Sequence, residues 1–344
     1  MTLTTPASAP VTVAPADRGD GARTAAVRSA GARTGAVVAQ AVVVLVAASF
    51  VTFALGAASG SDPAAVALGD MATPEDVARL NAEFGVDRPF FERYVTWLGG
   101  AATGDLGRSW FTGIPVAQSI ATALPVSLSL AAAATLVALL IGGTSGVLAA
   151  VRRGTWIDRA VSTANAALAT IPAFVAGIAL ILLFGFAIPL FPVGGYVPPS
   201  VSVTAWLTCL VLPAVSLSLD AAADLSRQLR TGLVTALDEN YIVGARMHGL
   251  GGGRIVFRHA LPNAAAPALA TLGLHVPRLV GGAVITEAVF GMPGLGQLAR
   301  ASALQGDVPV VQGVLLVSVV IVVITAVVLN TVLARVSPAG RSAA

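Results

Sequence analysis

Hydrophobic residues gather in six long blocks, near residues 35–56, 122–151, 159–190, 204–222, 264–290 and 309–334, with polar stretches between them. A helix rises about 1.5 Å per residue and a hydrocarbon core is about 30 Å thick, so each block is long enough to cross, 204–222 being the shortest. Backbone amides in hydrocarbon must be satisfied within the segment itself, which selects helices. The pattern predicts an all-α polytopic membrane protein with six transmembrane helices and both termini on one side. Pro125, Pro172, Pro213, Pro267 and Pro277 lie inside the blocks, as do the pairs Gly142–Gly143 and Gly281–Gly282. They predict bends and close helix contacts, as in a bundle that moves.

The polar stretches divide the chain. Residues 1–34, rich in Ala, Thr, Pro and Gly, lack the apolar periodicity that would offset the entropy of ordering, so the pattern predicts a disordered tail with no cleaved leader. Residues 35–115 hold the first span and a small helical cap. Thr73, Pro74 and Asp76 are a hydroxyl N-cap, a first-turn proline and an acid at the third position. Val77, Leu80 and Phe84 then share a face, and Gly85 can end the helix. A second short helix starts at Pro89, carries Phe90, Tyr94 and Trp97, and stops at Gly99–Gly100. Residues 116–335 form the core of five further spans, interrupted by the polar insert 238–263.

Composition supports the membrane reading: 56% of residues are hydrophobic, 11% are charged, and the mean hydropathy is +0.85. The 20 basic residues are all arginine, and 14 of them fall in the tail, the loop after 151, the 223–263 region and the C-terminus. This bias places both termini and the insert in the cytoplasm and the cap outside. The arginines form no continuous stripe with interleaved aromatics, so no nucleic-acid partner is implied. The lone Cys209 sits in an apolar run as a small core residue.

Candidate chemistry is confined to two places. The insert, DENYIVGARMHGLGGGRIVFRHALPN, reads as a short helix with Tyr241, Ala245 and His248 on one face, a turn over 250–253, and a second helix carrying Arg254 and Arg258. Small residues Ala245 and Gly249 would let a partner approach closely. The spans themselves hold a few ionisable residues, which are costly in lipid and therefore point to a pathway. Arg278 lies near the middle of the fifth span with His275 one turn away. It either lines the pathway and meets a solute carboxylate, or pairs structurally with Asp220 or Asp224. Those two acids share a face of the fourth span near its cytoplasmic end. Glu287, near the outer end of the fifth span, is either part of an outer gate or contact with a delivery protein, or an interfacial acid without special duty. His248, His259 and His275 are too scattered for a metal site. No nucleophile–base cluster marks a membrane enzyme, and no clear internal repeat marks a secondary transporter.

Several segments carry a more specific likeness: DRPFFERYVTWLGG, GDLGRSWFTGIPV, VRRGTWIDR, YIVGARMHGLGGGRIVFRHALPNA, ITEAVFGMPGLGQL and DVPVVQG, in this order over residues 36–335. Together they resemble the ABC importer permeases of the dipeptide, oligopeptide and nickel family, first-subunit type. The resemblance implies a type I ABC importer permease fold in a bacterial inner membrane. It implies a second homologous permease, ABC ATPases and an extracytoplasmic solute-binding protein as partners, alongside membrane lipid. The chain would import small peptides or related solutes such as nickel complexes. By the same resemblance, Glu239, Tyr241, Ala245, Arg246, Gly249, Leu250, Arg254 and Arg258 belong to the coupling loop that docks on an ATPase. ATP and Mg would bind the partner ATPases; this chain has neither GxxxxGK[ST] nor any lysine and is expected to bind no cofactor. The sequence departs from the family pattern at Met247, His248 and Gly251, which bears on the choice of ATPase.

Overall fold

The structure, a computed structural model, describes residues 19–58, 62–69 and 72–336, and the regular elements among them are helices. The first, α1 (Gly19–Ala58), begins well before the apolar block. Residues 19–34 are thus not the disordered segment expected; alanine-rich sequence extends a helix at little cost once the apolar part has nucleated it. The expectation for residues 1–18 lies outside the described residues.

The cap contains α2 (Pro63–Leu68), α3 (Pro74–Phe84) and α4 (Phe90–Ala102). Thr73 caps α3 by accepting from the Asp76 amide at 3.2 Å, while its hydroxyl donates to the Asp76 carboxyl at 2.6 Å and holds that acid below the usual carboxylate range. Gly85 ends α3 at φ 69°, a left-handed conformation that glycine adopts without strain. The α4 helix packs on α1 through edge-on contacts of Phe50 and Phe53 with Phe90 and Tyr94, and the Tyr94 hydroxyl donates to the Val46 carbonyl. Below the cap, Asp307 accepts from the Ser109 hydroxyl at 2.5 Å, and burial pushes its carboxyl above the usual range.

The bundle is built on α5 (Val116–Val151), α8 (Val203–Leu237) and α11 (Leu261–Val289), with α8 in the middle. Glycines let α5 approach α8. A Cβ on Gly142 would stand 2.5 Å from the Ala222 carbonyl oxygen, and one on Gly146 would stand 2.8 Å from that of Ser226. Ser226 also receives hydrogen bonds from Ser145 and Asn165, tying three helices at one point. The last long helix, α13 (Val308–Val336), packs on α1, and Gln312, fully buried, donates to the Ser49 carbonyl.

The third apolar block is not one straight span. It breaks into α6 (Trp156–Thr170) and α7 (Ala173–Ile181), the latter continued by a π-helical turn over Leu182–Ala187, with a bend of 102°. Pro172 causes the break: it lacks an amide proton and forces Ile171 into extended backbone, φ −85° and ψ 119°. The fourth span is longer than its apolar block, because DLSRQLRTGLVTAL keeps good helix formers after the hydropathy falls. Asp220 and Asp224 therefore lie mid-helix, with 13 further residues before the C-terminus of α8. α11 bends by 58° between Leu279 and Ala283, at the Gly281–Gly282 pair. Among the described residues, four helices are long and apolar enough to cross a membrane, and two bent pairs bring the number to six if each is one span.

Three apolar clusters lie along α5. Leu106, Val116, Ile120 and Val310 join at the cap end. Val126, Leu130, Leu210 and Phe290 fill the middle, where Cys209 is buried too. Leu229, Leu233, Ile242 and Ile255 close the other end, beside the insert. Cap and insert therefore sit at opposite ends of a 36-residue helix, roughly 54 Å apart at helical rise.

Candidate docking helix and translocation face

The insert folds around α9 (Asn240–Met247), entered from α8 through Asp238, whose carboxylate pairs with Arg153 at 2.7 Å. Glu239 is exposed and extended at the N-cap. Ile242 sets the rotation of α9: it is fully buried in the end cluster, and Ala245 and Leu250 pack beside it. Of the expected face of Tyr241, Ala245 and His248, the first and last are exposed and Ala245 alone is corrected. Ala245, one turn from Ile242, is drawn inward, and the outward apolar side chains are Tyr241, Val243 and Met247, the last 83% exposed. Arg246 and His248 are exposed as well, and the His248 ring Nδ1 lies 2.7 Å from the Gly244 carbonyl.

Gly249, at φ 76°, reverses the chain, and its amide donates to the Arg246 carbonyl while Leu250 donates to that of Ala245. One short turn, α10 (Gly252–Arg254), and a π-helical stretch (Ile255–Ala260) then run directly into α11. Arg254 and Arg258 are exposed along it, with Phe257 between them. Asn263 donates to the Tyr241 hydroxyl at 2.9 Å, which ties α9 to the first turn of α11. The insert is thus fixed at both ends and braced across the middle.

The ionisable residues of the spans do not pair as expected. Arg278 is exposed and has no ion pair among the described residues. His275 takes the acids instead: its Nε2 lies 3.0 Å from Asp224 and its Nδ1 3.6 Å from Asp220. The register explains the exchange, since His275 faces α8 and is 95% buried, whereas Arg278, three residues on, reaches outward. A neutral imidazole can donate to one carboxylate only, and an imidazolium to both. Asp224 is also paired with Arg227, and Asp220 is left 61% exposed. Adjacent helices thus carry an exposed acid and an exposed arginine, and the buried histidine binds the acids of α8.

Glu287 is fully buried in this structure, with its carboxylate turned into the helix junction and away from the surface. Its carboxylate accepts from the Ser127 hydroxyl at 2.5 Å and the Gln297 amide at 3.0 Å, and the Ser127 oxygen accepts from the Leu295 amide. It thereby joins α5, α11 and α12 (Leu295–Gln305). A Cβ on Gly294 would fall 2.2 Å from the carboxylate, so the glycine is required by space. Sequence reasoning also missed the bidentate pair of Arg230 with Asp158, at 2.6 and 2.8 Å, because its members are 72 residues apart.

Comparison with known proteins agrees with this architecture. Residues 142–341 match the family model described as the binding-protein-dependent transport system inner membrane component, and residues 36–131 match its N-terminal companion. The chain belongs to this family. It is 37% identical, over 81% of its length and 89% of the relative's, to a putative peptide transport system permease protein of Brucella abortus (strain 2308). It is 34% identical to the probable D,D-dipeptide transport system permease protein DdpB of Escherichia coli (strain K12), over 79% of this chain and 86% of that one. To the oligopeptide transport system permease protein AppB of Bacillus subtilis (strain 168) it is 31% identical, over 86% and 94%. Among solved structures, a chain of the MetNI methionine ABC transporter in an inward-facing conformation aligns with a TM-score of 0.52 and 21% identity, over 63% of this chain and 96% of that one. The fold is that of a type I ABC importer permease, and the chain is a multi-pass inner-membrane protein.

Proposed function

We propose that this permease is one of two membrane subunits of an ATP-driven importer of small peptides, and that α9 is the point where an ATPase docks. The observation that carries the docking reading is the arrangement of α9. Its outward side offers Tyr241, Val243 and Met247, while Ile242 and the Tyr241–Asn263 bond fix it to the core and to α11. A load applied to α9 therefore reaches α11, and with it His275 and Arg278, through continuous helix. Closure of two ATPases on ATP would tilt the paired permeases from inward-open to outward-open. ATP and Mg belong to those subunits; this chain transports and does not hydrolyse. The arginine bias supports a cytoplasmic insert and termini, with the cap on the side of the solute-binding protein.

Peptide as cargo is supported by the peptide-transport relatives and by the charges on α8 and α11. An exposed carboxylate and an exposed guanidinium at mid-span are costly against lipid. A second permease facing them would enclose a path in which Asp220 meets an amino terminus and Arg278 a carboxylate. In proteoliposomes holding both permeases, the ATPases and the binding protein, a labelled dipeptide should accumulate only with ATP. Arg278→Ala should reduce that uptake with unchanged thermal stability. Unaltered uptake with lowered stability would make Arg278 a structural residue, and uptake by this chain alone would refute the assignment.

A further inference from the structure

The cap covers a feature that transport does not use. Phe53 of α1, Arg93 and Trp97 of α4, and Trp110 border a cavity of about 680 Å³, and Phe53, Arg93 and Trp110 also border a second of about 240 Å³. Arg93 is the one charged residue that lines both. Its Nε is sealed from solvent without an acceptor, as is Nε1 of Trp97, and its guanidinium lies 5.5 Å from the Phe53 ring centroid. No carboxylate pairs with Arg93 among the described residues. Arg88 and Arg108 line the larger cavity too, against one acid, Glu83. Arg88 has only a 3.8 Å contact with Glu92, and Arg108 donates to the Gly113 carbonyl.

Three arginines against one glutamate give the cavity a net positive charge, which favours an anion. The lining also has a large apolar part, including Leu80, Phe84, Leu106 and Pro309, which a free inorganic anion would leave unfilled. The cavity also sits where the first span ends and the last begins, between Phe53 and Pro309. At that depth hydrocarbon gives way to headgroups, and tryptophan is at home. An amphiphile with an anionic head and an acyl chain satisfies all three conditions. We propose that Arg93 and Trp97 form a binding site for the phosphodiester headgroup of an anionic phospholipid, which anchors the cap to the membrane surface. Arginine suits this role because its planar fork matches a phosphate in two directions.

Native mass spectrometry of the purified full transporter, with phosphatidylglycerol added, tests the site. Wild type should retain phosphatidylglycerol in preference to phosphatidylcholine, and inorganic phosphate should not displace it. Arg93→Gln should weaken retention by about tenfold, and Arg93→Lys should weaken it less, because a charge remains without the fork. Phosphatidylglycerol should raise the melting temperature of wild type and not of Arg93→Gln. Equal retention by wild type and Arg93→Gln would overturn the proposal, as would displacement by inorganic phosphate. Unchanged lipid retention with weakened association of the solute-binding protein would overturn it in favour of a protein contact. Should Arg93→Gln fail to fold, Trp97→Phe, which removes the indole N–H and trims a ring from the cavity wall, decides: reduced retention supports the site and undiminished retention overturns it.

Discussion

Glu287 shows how much a single buried charge can hold. It accepts from Ser127 and Gln297 in a space that Gly294 keeps open, so removing it strands two donors away from water. Glu287→Ala should destabilise the protein by about 3 kcal/mol, and Glu287→Gln, which keeps one carbonyl oxygen, by about 1–2 kcal/mol. Thermal unfolding in detergent checks both, and equal melting temperatures for Glu287→Ala and wild type would contradict the account. Residues such as this were only half legible in the sequence. An ionisable group in an apolar run is conspicuous, which is why Arg278, His275 and Glu287 stand out. Which partner each one finds depends on helix rotation, and the rotation of α11 gave the acids of α8 to His275 instead of Arg278 three residues on.

At the scale of elements, the packing of α5 on α8 is specified by which of two adjacent glycines faces inward. A Cβ on Gly142 meets the Ala222 carbonyl oxygen at 2.5 Å, whereas one on Gly143 meets nothing within 4 Å. Gly142→Ala should cost about 1–3 kcal/mol through overpacking, while Gly143→Ala should be neutral or gain up to about 1 kcal/mol in helix propensity. Melting curves of the two variants distinguish them directly. In the cap, the Asp76 carboxyl is held below its ordinary range by the Thr73 hydroxyl. Its contribution to the start of α3 is therefore present above the ordinary carboxylate value and lost as pH falls through the lowered one. Amide exchange in the first turn of α3 should rise only under that acid condition, and Thr73→Ala should move the onset to higher pH. Caps and turns of this kind were readable because Thr-Pro-x-Asp and a closing glycine act locally. The bend expected at Pro172 proved to be a break of 102°, and neither that size nor the continuation of α8 to Leu237 was legible, since hydropathy is continuous across the first and falls before the second ends.

At the scale of the whole molecule, α5 runs from cap to insert, and the central helix α8 packs on α5, α6, α7 and α11. The six-span plan was legible because hydrocarbon thickness dictates block length. The orientation of α9 was not, because it depends on Ile242 finding the cluster formed by α8 and the start of α11. That orientation carries the central claim, and a cross-link tests it. The chain has one cysteine, Cys209, so Cys209→Ala supplies a clean background for Met247→Cys. In membranes containing the full transporter, a short bifunctional reagent should join position 247 to the ATPase in a nucleotide-dependent yield, while a cysteine at Ala245 should react far less. A cross-link from 247 to the solute-binding protein, or equal reaction at 245 and 247, would contradict the account.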